Sequence, residues 1–402
     1  MKPNVLQLVS SFRQGGSERQ AAQITRMLHE TGRYHVHVAC LDREGALLDE
    51  VSRLGLGEVA EFRLGSFYNR NAVRQLRRFA QLLRERRIDI VQTYDFYTNV
   101  FGMTGARLAS VPVRIAARRE TEGVRTKAQK WTERRAFNLA HTIVANSEAV
   151  RRELIAVGVE PAKVVTIYNG MDTSRIAPIS GLIREKVLDE LGLPVEPHRR
   201  FVTIVANMHF DMKDQATFLR AARRVLREVP DAAFVLGGEG GLVESLRALS
   251  RELGLERDAF FIGRCARVAD LLAVSTVCVL SSKGLEGFSN SIMEYMAAAR
   301  PVVATDVGGA REAVAHGETG YIVRPTDDEE MAGRIISLLK DPEGAREMGA
   351  RGLARVREKF SCEAQLAEIE KLYERLLSRG RGKKLARAGE GVRREVEVNV
   401  KP

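Results

Sequence analysis

Val279-Leu-Ser-Ser-Lys-Gly-Leu-Glu-Gly-Phe-Ser-Asn-Ser-Ile-Met-Glu-Tyr295 carries the end of an apolar strand, a glycine turn and a helix start. The run Val277–Leu280 reads as a buried strand that breaks at Ser281. Lys283-Gly284 turns the chain and presents Glu286. Ser289 or Asn290, both favoured N-cap types, then opens a helix with Glu294 just inside it. A helix start of this kind leaves backbone N–H groups free beside its positive end, which suits an anion. Carboxylates next to it repel phosphate but accept hydrogen bonds from hydroxyls. A ligand with an anionic middle and hydroxylated flanks fits this layout, and a nucleotide sugar is one such ligand.

Outward from this stretch, short apolar runs alternate with amphipathic ones. Val5–Val9, His35–Leu41, Ile88–Gln92, Ile115–Ala117, Thr142–Ala145 and Val164–Ile167 read as strands, with helices at Ser17–Thr31 and Asn71–Arg86. A charged stretch with Gly192, Pro194 and Pro197 follows and reads as a linker. The alternation restarts at Phe201–Ala206 and continues through Ala233–Leu236, Ala259–Ile262, Val277–Leu280, Pro301–Ala304 and Gly320–Val323. This pattern predicts an α/β protein of two doubly wound, parallel-sheet Rossmann-like domains, with ligands in a cleft at the carboxyl ends of their strands. The expected divisions are a first domain at 1–183, a linker at 184–200 and a second domain at 201–359. An amphipathic helix at 360–378 with Leu366, Ile369, Leu372, Tyr373 and Leu376 in phase comes next, then a basic, disordered tail at 379–402.

Composition narrows the class. At 402 residues and 45% hydrophobic, the chain suits two ordinary domains. No apolar run approaches the length of a membrane span, and the first apolar run is too brief for a signal peptide. Cys40, Cys265, Cys278 and Cys362 are far apart in sequence and read as buried thiols, which predicts a cytoplasmic location. The net charge of +11 is clustered: seven arginines and one acid lie between Arg70 and Arg87, and eight basic and three acidic residues between Arg379 and Pro402. No aromatic-interleaved basic motif accompanies these clusters, so nucleic acid is not the expected partner. An anionic membrane surface, with peripheral attachment, suits them; so does a solvated arginine-rich surface.

The span Glu286-Gly-Phe-Ser-Asn-Ser-Ile-Met-Glu294 resembles the E-x7-E signature of retaining GT-B glycosyltransferases of the family 4 type. Gly15-Gly16-Ser17-Glu18, Asn146-Ser147-Glu148, Tyr168-Asn-Gly-Met-Asp172, Pro301-Val-Val-Ala-Thr-Asp-Val-Gly-Gly309 and Gly317-Glu-Thr-Gly320 resemble further segments of that family, in order. The resemblance implies a hexosyltransferase of GT-B architecture. It would move a sugar from a nucleoside diphosphate donor to a glycan or lipid-linked acceptor with retention, using no metal or other cofactor. It also implies a final helix that crosses back to the first domain.

Site assignments follow from both readings. The resemblance gives Lys213 to the diphosphate, in a loop where Asn207 replaces the family's usual Arg. A solvated surface lysine is the plain alternative. Glu286 is assigned to donor-sugar hydroxyls and Glu294 to the ribose diol; Glu294 could equally be a favourable charge in a first helical turn. Gly287, Phe288, Ser289 and Asn290 are expected to offer backbone N–H groups. Gly15 and Gly16 allow close backbone approach to a phosphate, or form a tight turn. Arg264 is placed near the base. On the acceptor side Tyr94 replaces the family's usual His. Asp95 is either a proton acceptor or a helix cap. Gly237-Gly-Glu-Gly-Gly241 falls short of a dinucleotide fingerprint. A catalytically silent nucleotide-sugar-binding protein and a nucleotide-sugar epimerase of the same fold remain the alternatives.

Overall fold

Two parallel sheets organise the computed structural model, which describes residues 2–65, 69–121, 125–176, 183–196 and 198–379. The first contains β1 (Asn4–Val9), β2 (His35–Cys40), β3 (Ala60–Glu61), β4 (Ile90–Thr93), β5 (Val113–Arg118), β6 (Thr142–Ala145) and β7 (Val164–Thr166), in the order β3-β2-β1-β4-β5-β6-β7. The second contains β8 (Arg200–Val205), β9 (Ala232–Gly237), β10 (Ala259–Gly263), β11 (Ser275–Leu280), β12 (Val302–Thr305) and β13 (Gly320–Val323), in the order β10-β9-β8-β11-β12-β13. The strands are apolar on both faces because helices cover both. In β1, Val5 and Val9 enter one core while Leu6 and Leu8 enter the core on the opposite face. In each sheet the order reverses beside a central strand, at β1/β4 and at β8/β11, and crevices open at such switch points.

The stretch expected to be a linker contains structure of its own. Arg184–Glu190 is helical, and Val187, Leu188 and Leu193 pack with Phe201 and Val235 of the second sheet and with Leu271 of the helix Val268–Val274. Its charged residues cover a short apolar stripe, so this part of 184–200 is built onto the second domain. The tail at 379–402 lies outside the described residues, apart from Arg379.

Residues 362–379 are helical, and Ile369, Leu372, Tyr373 and Leu376 belong to the core of the first domain. The chain therefore returns to the first sheet, beside an isolated bridge of Met171 to Ser361. Tyr373 donates to Gln92 Oε1 at 2.6 Å and Tyr94 donates to Gln7 Oε1 at 2.5 Å. Gln7 Nε2 reaches Tyr373 at 3.2 Å and Gln92 Nε2 reaches Tyr94 at 3.3 Å. This ring of two tyrosines and two glutamines satisfies its polar groups without water and locks the last helix to β1 and β4.

Candidate active site

The carboxyl ends of both sheets face a cleft of about 870 Å³. Two helix starts open into it. Gly15, Gly16 and Ser17 line it at the head of Gly16–Glu30, and Ser289, Asn290 and Ser291 at the head of Asn290–Ala297. Ser289 is the N-cap of the latter. The Asn290 side chain reaches the Gly16 carbonyl at 3.4 Å, so two positive helix ends meet across the cleft.

The loop after β8 holds Lys213. Asp211–Lys213 forms one 3-10 turn, and Asp214 follows at φ 45, where its carboxylate caps Gln215–Glu228 through Thr217. Ser281 donates to the Lys213 carbonyl at 2.7 Å, and the Lys283 amide donates to Met212. The loops after β8 and β11 are thus stitched together. Lys213 Nζ donates to Glu286 Oε1, which also accepts from Ser282 at 2.6 Å. Leu285, at φ 58, makes the sharp turn that points Glu286 inward. Glu286 and Glu294 are each only 8% exposed. Glu294 Oε1 accepts from Arg19 Nη1 at 2.9 Å, across the domain boundary. Burial raises the Glu294 carboxyl above its ordinary value, and Arg19 offsets part of that rise.

Gly237-Gly-Glu-Gly-Gly241 has a structural purpose. Gly238 and Gly240 sit at φ 148 and 150, where a Cβ would lie 2.0 Å from the Ala206 carbonyl oxygen and 2.2 Å from the Met208 carbonyl carbon. Only glycine lets this loop back the loop that carries Asn207 and Lys213. Asn207 and Arg264 also line the cleft; Arg264 is exposed at its rim and bonded to Gln14 Oε1 at 2.8 Å. Phe288 lines the cleft, and its ring packs against Tyr168 and Phe360.

On the first-domain side Asp95 takes the second of its two expected roles, the helix cap. It does not line the cleft, and its carboxylate accepts from the Thr98 amide at 3.0 Å within a capping box that starts Phe96–Leu108. Tyr94 is buried in the tyrosine–glutamine ring. Cys265 also differs: it is half-buried and lines the cleft, whereas the other three cysteines are buried.

The spacing argument missed Arg119, which lines the cleft and donates to Asn169 Oδ1. Burial pulls its guanidinium down to about 10. Asn169 in turn donates to the Phe288 carbonyl and to Asn290 Oδ1, both at 2.9 Å, tying the first domain to the signature turn. From the second domain, Glu312 accepts from the amides of Glu148 and Ala149 at 2.7 and 2.8 Å and so caps a first-domain helix. Gly287 fits closely between the domains: a Cβ there would lie 2.1 Å from the Arg119 carbonyl oxygen and 2.4 Å from Asn146 Oδ1. Gly287→Ala is therefore expected to lower stability by about 1–3 kcal/mol by overpacking, with a lower thermal midpoint as the check.

Residues 14–175 match the family described as Glycosyltransferase Family 4, and residues 199–341 the family described as Glycosyl transferases group 1. The alpha-maltose-1-phosphate synthase of Mycolicibacterium smegmatis is 30% identical over 304 residues, covering 69% of this chain and 76% of that protein. The EpsD protein of Bacillus subtilis is 28% identical over 204 residues, and the chain spans about half its length, 52%. The crystal structure of Anabaena HepE in complex with UDP-glucose superposes with a TM-score of 0.79 at 22% identity, covering 92% of this chain and 99% of that one. That likeness is one of fold: two Rossmann-like domains in the GT-B arrangement.

Proposed function

Because the chain belongs to the glycosyltransferases that join a family 4 domain to a group 1 domain, we propose that it transfers a hexose-type sugar from a nucleoside diphosphate sugar, with retention. The acceptor in this reading is a glycan precursor or lipid-linked sugar. The observation that carries it is the cleft wall itself: Lys213 on Glu286, and Glu294 eight residues on, beside two helix starts.

Breaking a glycosyl–phosphate bond places negative charge on the diphosphate and positive charge on the sugar ring. Lys213 and the helix starts meet the first with groups already oriented before reaction. The reading asks for no resident cofactor or metal. Incoming donor draws Lys213 away from Glu286, whose freed oxygens then accept from the sugar hydroxyls. Glu294 accepts from the ribose diol. UDP-sugars are the first donors to test, as HepE is crystallised with UDP-glucose.

Purified protein is incubated with UDP-, GDP- and ADP-hexoses and lipid-linked acceptors in anionic or neutral vesicles. One donor class should yield product with the donor's anomeric configuration. The anionic vesicles should give the faster rate, an advantage that shrinks with salt because the exposed arginines of Arg70–Glu85 act through screened charge. Donor binding without transfer would favour the silent reading. Epimerised donor without acceptor would favour the epimerase.

A further inference from the structure

We infer that Arg19 is a donor-binding residue supplied by the first domain, which exchanges Glu294 for the diphosphate when the nucleotide binds. The inference rests on the proposed donor site. It begins from an occupied acceptor: Glu294 Oε1 is held by Arg19 Nη1 at 2.9 Å, and Glu294 has few other places to turn because it is nearly buried. A ribose diol presents two O–H donors, and the simplest arrangement gives one to each carboxylate oxygen, so the nucleoside competes with Arg19 for Oε1. Arg19 is the partner placed to yield as the nucleoside enters.

Release leaves a guanidinium within the cleft that has just received a diphosphate. Arg19 is 48% exposed at its side chain, so water and rotamer freedom allow it to swing. The other arginines lining the cleft have partners that the donor site does not use. Arg119 is half-buried and bonded to Asn169, Arg13 is paired with Glu44 at 2.9 Å, and Arg264 holds Gln14 at the rim. Lys213 brings one positive charge to a group carrying at least two negative ones. Arg19 supplies the next, and a planar guanidinium binds phosphate oxygens in pairs. Because Arg19 belongs to the first domain and Glu294 to the second, the exchange moves an existing interdomain contact onto the ligand. Donor binding thereby keeps the cleft closed instead of breaking its only direct ion pair to the signature helix among the described residues.

The test compares a nucleoside diphosphate with its parent nucleoside by calorimetry. UDP, GDP and ADP are titrated into wild type, and the one that binds is carried forward with uridine, guanosine or adenosine. Arg19→Gln should weaken the diphosphate about tenfold or more while the nucleoside binds as well as to wild type or better, since Glu294 is now free. Arg19→Lys should restore part of the diphosphate affinity, and raised salt should narrow the gap between wild type and Arg19→Gln. A residue that merely holds the domains together would weaken both ligands alike, and that result overturns the inference, as does an unchanged diphosphate affinity. If wild type binds none of the three diphosphates, the proposed donor site itself is wrong and the inference falls with it.

Discussion

Replacing Lys213 with alanine is expected to lower kcat by about 10²- to 10³-fold, the usual cost of losing one preorganised group at a developing negative charge. Most of the loss should appear in kcat, since the leaving diphosphate gains charge only as the glycosyl bond breaks. Lys213 is suited to this because both loops beside it are fixed: its carbonyl accepts from Ser281, and Asp214 anchors the helix that follows. Among the described residues its amine is held only by Glu286, a partner that donor hydroxyls can replace. Removing it leaves Glu286 with the Ser282 hydroxyl in a nearly buried position. Some destabilisation is therefore expected, and Lys213→Arg separates the two effects by restoring charge to the carboxylate. Single-turnover rates at saturating donor are the measurement. An alanine variant as fast as wild type would remove Lys213 from the chemistry.

Much of this architecture was legible because parallel strands covered on both faces are continuous apolar runs. Val5–Val9 and Phe201–Ala206 stand out for that reason, and the structure places strands at Asn4–Val9 and Arg200–Val205. Ala60–Glu61 is two residues long and carries no such run. Arg184–Glu190 was hidden because five of its seven residues are charged and only Val187 and Leu188 face the core. The signature turn could be read from local chemistry alone, as Ser289 is the cap and Glu286 and Glu294 both reach the cleft. Asp95 carried a local signal as well: Asp95 to Thr98 is the spacing of a capping box, and the structure shows that box. What could not be read is everything that depends on how the two domains face each other. Arg19 lies 275 residues from Glu294, and Glu312 lies 164 from Glu148. Neither pair leaves a periodicity or spacing to find.

Glu294→Gln should separate donor affinity from stability. The amide keeps the shape of the side chain but offers one acceptor oxygen where the carboxylate offers two, so one ribose hydroxyl loses its partner. A hydrogen bond to a charged group contributes about 1.5–3 kcal/mol, which corresponds to roughly a 10- to 100-fold weaker donor. Stability should move the other way. Burial raises the Glu294 carboxyl in the folded protein, so folding favours the protonated acid. A group shifted in this direction contributes stability below its unfolded pKa and loses that contribution as pH rises through the folded value. At neutral pH wild type has lost it, whereas glutamine does not titrate. The Arg19 pair returns part of the cost, but Arg19 is half exposed and its attraction is screened. The variant is therefore expected to match or exceed wild type in thermal midpoint at pH 7. That advantage should shrink as the pH falls toward the ordinary carboxylate range. Midpoints measured from pH 4 to pH 8, beside donor titrations at pH 7, would show both trends. A variant that loses stability at neutral pH but binds donor normally would make Glu294 a structural charge holding Arg19, and the ribose would need another partner.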